Sequence, residues 1–325
     1  MTERSTQPGV EANELRNSEV AESTNVDVTA VIVSYNSADH LEPLALALSA
    51  GVVVPARTLV VDNASRDDTE RRARDAGFEV CVRTSNDGFG AGCNEGLRLC
   101  DTDFVLFCNP DVRPSPQALQ ILVRALTSNS SAAIAGCVEG RDFSRITRDV
   151  YGFLPKRMRT KIEGRAAAES LDNGAPSLRV DYAVGAFILC RVAALHCVGG
   201  FDERFFLYCE EEDLSLRLLE RGWQTILVPS AQVWHEHGGS SPGADTATTA
   251  PLRLHSRYLY YQKHRSQAYA EIARCAIAIC VALDRAFRVV TGQQQVYSRA
   301  AMLAPFRDLA VVRRNVELIA KGTVE

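Results

Sequence analysis

The chain has 325 residues, of which 46% are hydrophobic and 23% charged, with a formal net charge of −4. These values suit a soluble globular protein of one large domain with appendages, or of two domains, and they lack the basic footprint that nucleic-acid binding leaves. No basic N-terminal stretch precedes an apolar run, and the longest apolar run near the end, Cys275 to Leu283, is too short for a bilayer, so neither a signal peptide nor a membrane span is expected. Ten cysteines are scattered without CxxC spacing or a Cys/His cluster. They read as reduced, mostly buried thiols of a cytoplasmic protein.

Residues 1–26 are polar, with few large apolar groups, and predict a disordered tail. Val28 to Val33 is a continuous β-branched run, the pattern of a strand buried on both faces. It ends in Ser34, Tyr35, Asn36 and Ser37, and a helix carrying Leu41, Leu44 and Leu48 follows. Thr58 to Val61 predicts a second strand, ending in Asp62 and Asn63, with Asp67 and Asp68 opening the next helix. Val80 to Arg83 predicts a third strand, ending in Asn86, Asp87, Gly88, Phe89 and Gly90, and a helix with Asn94, Leu97 and Leu99 comes next. Phe104 to Cys108 is a fourth strand, ending in Asn109, Pro110 and Asp111; Pro116 starts a helix and Ala132 to Cys137 reads as a fifth strand. Strand and helix in alternation predict an α/β fold with a mostly parallel, Rossmann-like sheet and flanking helices. Ligands of such sheets bind at the carboxyl ends of the strands, so four polar loops are expected to meet in one crevice.

The second half is less regular. Residues 141 to 178 carry Lys156, Arg157, Arg159, Lys161 and Arg165 and are expected to form a mobile loop or lid. Val180 to Arg191 predicts a strand that Gly185 interrupts. Gly199 and Gly200 signal a turn, the aromatics Phe201, Phe205, Phe206 and Tyr208 follow, and then come four acids, Glu210, Glu211, Glu212 and Asp213, at the head of a helix with Leu214, Leu218 and Leu219. A helix N-terminus favours carboxylate charge, whereas neighbouring apolar rings disfavour it. That balance suits a general base, although a solvated acidic cap would give the same run. Thr225 to Val228 is a further strand, after which Pro229 and Ser230 are expected to turn the chain toward His235 and His237. A boundary is expected at about residue 242, with a helical C-terminal extension over 242–325. From Lys263 onward ten Lys/Arg face five Asp/Glu, and Ile272, Ala276, Ile279, Leu283 and Val290 fall on one helix face. Such helices suit an anionic membrane surface, and they equally suit packing on the main domain or on a second copy of the chain.

The motifs VSYN (33–36), VVDNAS (60–65), NDGFGAGCN (86–94), NPDV (109–112), VGAFILCR (184–191), GGFDERFFLYCEEEDLSLR (199–217) and HEHGGSS (235–241) occur in that order. Together they resemble inverting glycosyltransferase family 2, in its bacterial rhamnosyltransferase-like subgroup, over residues 27–241. The resemblance implies a GT-A fold and transfer of a sugar from a nucleoside-diphosphate sugar, dTDP-rhamnose first and UDP-sugars next. The implied acceptor is a hydroxyl of a saccharide or lipid-linked saccharide at the inner membrane face.

The same resemblance implies roles for single residues. Asp62 matches the family aspartate that binds the nucleotide base, and a carboxylate can accept the N–H of uracil or thymine; Asp62 and Asn63 also suit simple helix capping. Ser34, Tyr35, Asn36, Asn63, Asn86, Gly88, Asn94 and Asn109 complete the expected donor site, with glycines allowing the backbone close to the ligand. Asp111 stands where the family has its metal motif, here reduced to one acid, and His235, with His237 as rival, completes a Mg²⁺ or Mn²⁺ site on the diphosphate. Glu211 falls at the catalytic-base position, where aspartate is usual, with Glu210 and Asp213 as rivals. Gly185, Asp213 and Arg217 are expected toward the acceptor. The Q-x-x-R-W motif of processive synthases is missing, so one sugar is expected per encounter. The alternative is a binding or scaffold protein that keeps the fold without catalysis, which the lone Asp111 and the glutamate at 211 would allow.

Overall fold

The computed structural model describes residues 27–139, 176–235 and 246–291, with residues 307 and 312. The expectations for the tail, for the basic segment up to residue 175, for His237 and for the chain beyond 291 lie outside the described residues.

Strands β1 (Val28–Ser34), β2 (Arg57–Asp62), β3 (Glu79–Val82) and β4 (Phe104–Cys108) pair in parallel in the order β3-β2-β1-β4. Their apolar runs arise because helices cover both faces. Alternate residues diverge: Ala30 and Ile32 of β1 pack with Leu41, Leu44 and Leu48 of α1 (Ala38–Ser49), Ala73 of α2 (Thr69–Asp75) and Leu122 and Leu126 of α4 (Ala118–Ser128). Val31 and Val33 enter the other layer, with Leu97 of α3 (Phe89–Arg98), Leu195 of α5 (Val192–Val198) and Leu214 and Leu218 of α6 (Glu210–Glu220). The chain order reverses between β1 and β4, which opens a crevice at their carboxyl ends.

Beyond β4 the sheet becomes mixed. β8 (Phe187–Arg191) runs antiparallel to both β4 and β6 (Ala132–Glu139), and β9 (Gln224–His235) runs parallel to β6. Two three-residue strands, β5 (Val112–Pro114) and β7 (Leu178–Val180), pair antiparallel with β9. The stretch expected as one strand over 180–191 is therefore divided: β7 joins β9, residues 181–186 cross without strand pairing, and β8 enters beside β4. Nor do Pro229 and Ser230 end a strand. Gly136 faces Leu227 while Val138 faces Gln232, so residues 228–231 form an irregularity inside β9, where a missing proline N–H breaks no ladder bond.

Helix α3 sits unusually close to β1. A Cβ at Gly92 would stand 2.6 Å from Val33 Cγ1, and one at Gly96 would stand 2.2 Å from Val31 Cγ1. Two glycines one turn apart thus let the helix lie directly on the strand. The C-terminal helices α7 (Thr246–His264) and α8 (Gln267–Thr291) pack on each other, and α7 also packs on the acidic end of α6 through Tyr260, Phe205 and Cys209. Among the described residues no helix is long and apolar enough to cross a membrane. The described cysteines are free thiols: Cys93, Cys108, Cys190 and Cys209 are buried, while Cys197 and Cys275 are exposed.

Candidate active site

Ser34 and Asp62 are register partners at the ends of β1 and β2, so they lie side by side at the floor of the crevice. Ser34 is fully buried and its Oγ has no hydrogen-bond partner. Asp62 is buried as well; its Oδ1 accepts from the Ser65 N–H at 3.1 Å and from the Ser65 hydroxyl at 2.5 Å. Burial pushes the Asp62 carboxyl above its ordinary range, against the pull of the Ser65 hydrogen bonds. Its bonds all fall on Oδ1, which leaves Oδ2 as an acceptor at the crevice floor.

The asparagines chosen from the sequence hold the loops together. Asn36, at φ 51°, donates its N–H to Ser65 Oγ at 2.8 Å and accepts the Arg66 N–H at 2.8 Å. Tyr35, half-buried, donates its N–H to Ser37 Oγ at 3.4 Å. Asn63 donates to the Gly88 carbonyl at 3.1 Å and accepts from Arg83 Nη1 at 3.0 Å. Asn86 Oδ1 accepts the Gly88 N–H at 3.1 Å, and Asn94 grips both backbone groups of Phe201, at 2.8 and 2.9 Å. The side of Gly88 where a side chain would stand is filled by the chain. With φ at 104°, its missing Cβ is replaced by the Phe206 carbonyl, which would lie 2.1 Å away, and Phe89 donates its N–H to that same oxygen at 3.0 Å. The close approach expected toward a ligand is made to the chain itself, and it docks the third loop onto the segment before the acids. Asn109 is half-buried and donates its N–H to the Ala186 carbonyl at 2.8 Å.

Asp111 is 1% exposed and immediately precedes β5, whose first residue, Val112, is the register partner of His235. The short strand brings the backbones of the two expected metal ligands together across one ladder. Among the described residues no group of three or more His, Cys, Asp or Glu is able to hold an ion by itself. One carboxylate and one imidazole fit a hard or borderline cation whose other positions are filled by phosphate oxygens and water.

The acid run stands at the first turn of α6, entered through Tyr208 and Cys209, both left-handed at φ 72° and 67°. Two successive non-glycine residues in that region cost roughly 1–3 kcal/mol each, so the surrounding packing imposes this entry. The four carboxylates then diverge. Glu210 is buried, its Oε2 has no partner, and burial together with the charge of Glu211 raises its pKa well above the carboxylate range. Glu211 is half-buried, and its Oε1 accepts the Gly185 N–H at 2.9 Å. Burial pushes it up to about 7, opposed by that N–H and the helix's own first-turn N–H, with a further push from Glu212. A Cβ at Gly185 would stand 2.5 Å from Glu211 Oε1, so the glycine expected toward the acceptor makes room for the carboxylate instead.

Glu212 is buried in a two-point ion pair with Arg257 of α7. Asp213 is fully buried among Arg217 Nε at 2.8 Å, Lys263 Nζ at 2.5 Å and His264 Nε2 at 2.7 Å. Burial alone would raise Asp213, but hydrogen bonds from His264 and Lys263 and the charge of Arg217 outweigh it and hold the carboxyl below its ordinary value. Arg217 also donates to the Val198 and Gly200 carbonyls, each at 2.8 Å, pinning the glycine turn. Asp213 and Arg217 are thereby engaged with each other and with the protein interior. Of the three candidate bases, Glu210 is sealed in and Asp213 is saturated with hydrogen-bond and ion-pair partners, which leaves Glu211 both accessible and tuned near neutrality.

Sequence reading assigned nothing to Arg83, Glu212, Arg257, Lys263 or His264. The signal for the last three was the acid run itself: four consecutive carboxylates at a buried helix end require cations or hydrogen-bond donors from somewhere.

The profile of the family described as Glycosyl transferase family 2 matches residues 29–198. The chain is 30% identical over 265 residues to an N-acetylglucosaminyl-diphospho-decaprenol L-rhamnosyltransferase of Mycobacterium tuberculosis, covering 73% of this chain and 84% of that relative. It is 29% identical over 166 residues to the rhamnosyltransferase WbbL of Escherichia coli, covering 46% of this chain and 60% of the relative. Among solved structures, the mannosyltransferase PcManGT of Pyrobaculum calidifontis, in complex with GDP-Man and Mn²⁺, shares the fold at a TM-score of 0.56 and 17% identity, over 96% of this chain and 94% of that one.

Proposed function

This chain belongs to glycosyl transferase family 2, and on that premise we propose that it is an inverting, metal-dependent, non-processive enzyme that moves a sugar from a nucleoside-diphosphate donor to a hydroxyl of a lipid-linked saccharide. The observation that carries the reading is Glu211, half-buried, tethered by the Gly185 N–H and tuned to about 7. The acceptor O–H gives its proton to Glu211 as the oxygen attacks the anomeric carbon. The bond from that carbon to the diphosphate breaks on the opposite face, the nucleoside diphosphate leaves, and the anomeric centre inverts. Asp62 Oδ2 is free to accept the ring N–H of uracil or thymine. Asp111 and His235 would hold Mg²⁺ or Mn²⁺, which neutralises charge on the diphosphate leaving group.

The named activities of the relatives support rhamnose, carried by dTDP, as the first donor, with UDP-sugars next, and a saccharide on a polyprenyl diphosphate as the acceptor class. The test is a donor screen by thermal stabilisation and slow donor hydrolysis, with and without Mn²⁺ or Mg²⁺. A dTDP- or UDP-sugar should raise the melting temperature only with metal, and Asp111→Ala should abolish that metal-dependent rise. Indifference of the folded protein to every nucleotide sugar would favour the scaffold alternative.

A lipid-linked acceptor places the working site at a cytoplasmic membrane face. Helix α8 exposes Ile272, Ile279, Leu283, Phe287 and Val290, the last 85% exposed, along one side. An apolar row of this kind suits shallow insertion among headgroups. Co-sedimentation should show binding to vesicles containing anionic lipid and loss of binding in Ile279→Glu/Leu283→Glu. Equal partition of wild type and variant would leave the row to a second copy of the chain.

A further inference from the structure

Helix α7 lies beyond residue 198, where the family match ends, yet it supplies the countercharge for the acid run. Arg257 Nη1 and Nη2 each meet one oxygen of Glu212 at 2.5 Å, and the guanidinium stands 5.6 Å from the centroid of the Tyr260 ring. Both partners are largely withdrawn from water, at 25% and 6% side-chain exposure, so solvent screens the pair weakly. Glu212 directly follows Glu211 in the first turn of α6.

We propose that Arg257 is a positioning residue of the active site: by gripping Glu212 at two points it fixes the first turn of α6 and offsets part of the negative charge beside Glu211, so that Glu211 is able to carry its own. The proposal rests on Glu211 being the base.

The surroundings of Glu211 sharpen the point. On its own helix its neighbours are Glu210, buried and raised well above the ordinary carboxyl range, and Glu212. From α3 comes the Cys93 thiol and from the turn before α6 the Cys209 thiol, both buried and raised well above the usual thiol range, hence uncharged. The Gly185 amide is its hydrogen-bond donor, and among the described residues no cation pairs with it. Arg257 therefore acts through Glu212 alone. Removing the guanidinium exposes Glu211 to a second carboxylate in a poorly screened setting. Such a charge shifts a neighbouring carboxyl upward by about one pH unit.

The experiment compares wild type, Arg257→Gln, Arg257→Lys and the double variant Arg257→Gln/Glu212→Gln in the full-length protein. Two readouts are used: the pH profile of kcat/KM, and the carbon-13 carboxyl titration of Glu211, identified as the resonance lost in Glu211→Gln. Arg257→Gln should move the ascending limb and the Glu211 titration together, by about one unit, with turnover down about five-fold at pH 7 and restored near pH 9. Arg257→Lys should restore part of the shift. The double variant, which removes both charges, should return the limb to its wild-type position, and it carries the test with Arg257→Lys if the single glutamine variant does not fold. An unmoved Glu211 titration, or a loss of activity equal at every pH, overturns the proposal. Full turnover in Glu211→Gln would instead overturn the base assignment, while the carbon-13 titration still reports whether Arg257 governs the charge of Glu211.

Discussion

Glu211→Gln is expected to lower kcat by roughly 10²–10⁴-fold near neutral pH, the usual worth of a positioned general base, and to leave nucleotide-sugar binding intact. The same change should make the protein more stable. In the unfolded chain the carboxyl titrates near 4.5, whereas in the folded protein it is held to about 7. Below pH 4.5 both states keep the proton and nothing is lost. Between 4.5 and 7 the unfolded chain releases a proton that the folded protein retains, so folding loses free energy progressively, and above 7 the loss is complete. At about 1.4 kcal/mol per pH unit the full cost is about 3 kcal/mol, cut to roughly 1–3 kcal/mol by water on the open side of the side chain. The melting temperature of the variant should thus match wild type at pH 4 and exceed it at pH 8. An unchanged kcat would refute the base assignment; a gain in melting temperature equal at both pH values would refute its electrostatic origin.

Asp213→Asn is the opposite case. The wild-type carboxylate is completely buried and is the shared partner of Arg217, Lys263 and His264. Removing one member of a buried ion pair costs about 3–5 kcal/mol, because the remaining charges keep their desolvation penalty. Here the lower end is expected, since Lys263 retains Asp202 and Arg217 retains two carbonyls. With roughly 2–4 °C lost per kcal/mol for a protein of this size class, the melting temperature should fall by about 10 °C at pH 7. The sign of the pH dependence is fixed by the depressed pKa. The stabilisation is present above the ordinary value of 3.8 and disappears as acid protonates the folded carboxyl below it, so the two proteins should converge at low pH. A melting temperature within a degree or two of wild type at pH 7 would mean that the cations find other partners.

Both residues sit in one run of four acids, and the contrast between them shows where sequence stops being informative. That the run heads a helix, and that polar loops close four parallel strands, followed from local pattern: β-branched runs for β1 and β2, and leucine spacing for α1 and α6. Ser34 and Asp62 were legible as crevice residues because strand ends in a parallel sheet must meet. The direction of the asparagines was not legible. Asn63 and Asn94 look like ligand-facing amides, yet their partners are the Gly88 carbonyl and the Phe201 backbone, up to 107 residues away. The split of the acids into one buried, one tuned and two neutralised members depends on Arg257, Lys263 and His264, and no local window contains them. Strand β5 was missed because three residues carry no period. Helix α5 was missed because VAALHCV, between a strand and a glycine turn, reads equally well as continued strand.

The pairing of α6 with α7 also has a meaning in time. Arg257 follows Glu212 by 45 residues along the chain and His264 follows Asp213 by 51, whereas Arg217 is at hand within α6. At about 5–20 residues per second on the ribosome, that is an interval of roughly 2–10 s in which the acids exist and their partners on α7 do not. A carboxylate without a partner stays in water, so Glu212, whose ion pair is with Arg257, is unable to bury itself until α7 has been made. Strands β1–β4 and the loops that close them come out of the ribosome well before this point, and the first turn of α6 is among the last parts of the crevice to be completed.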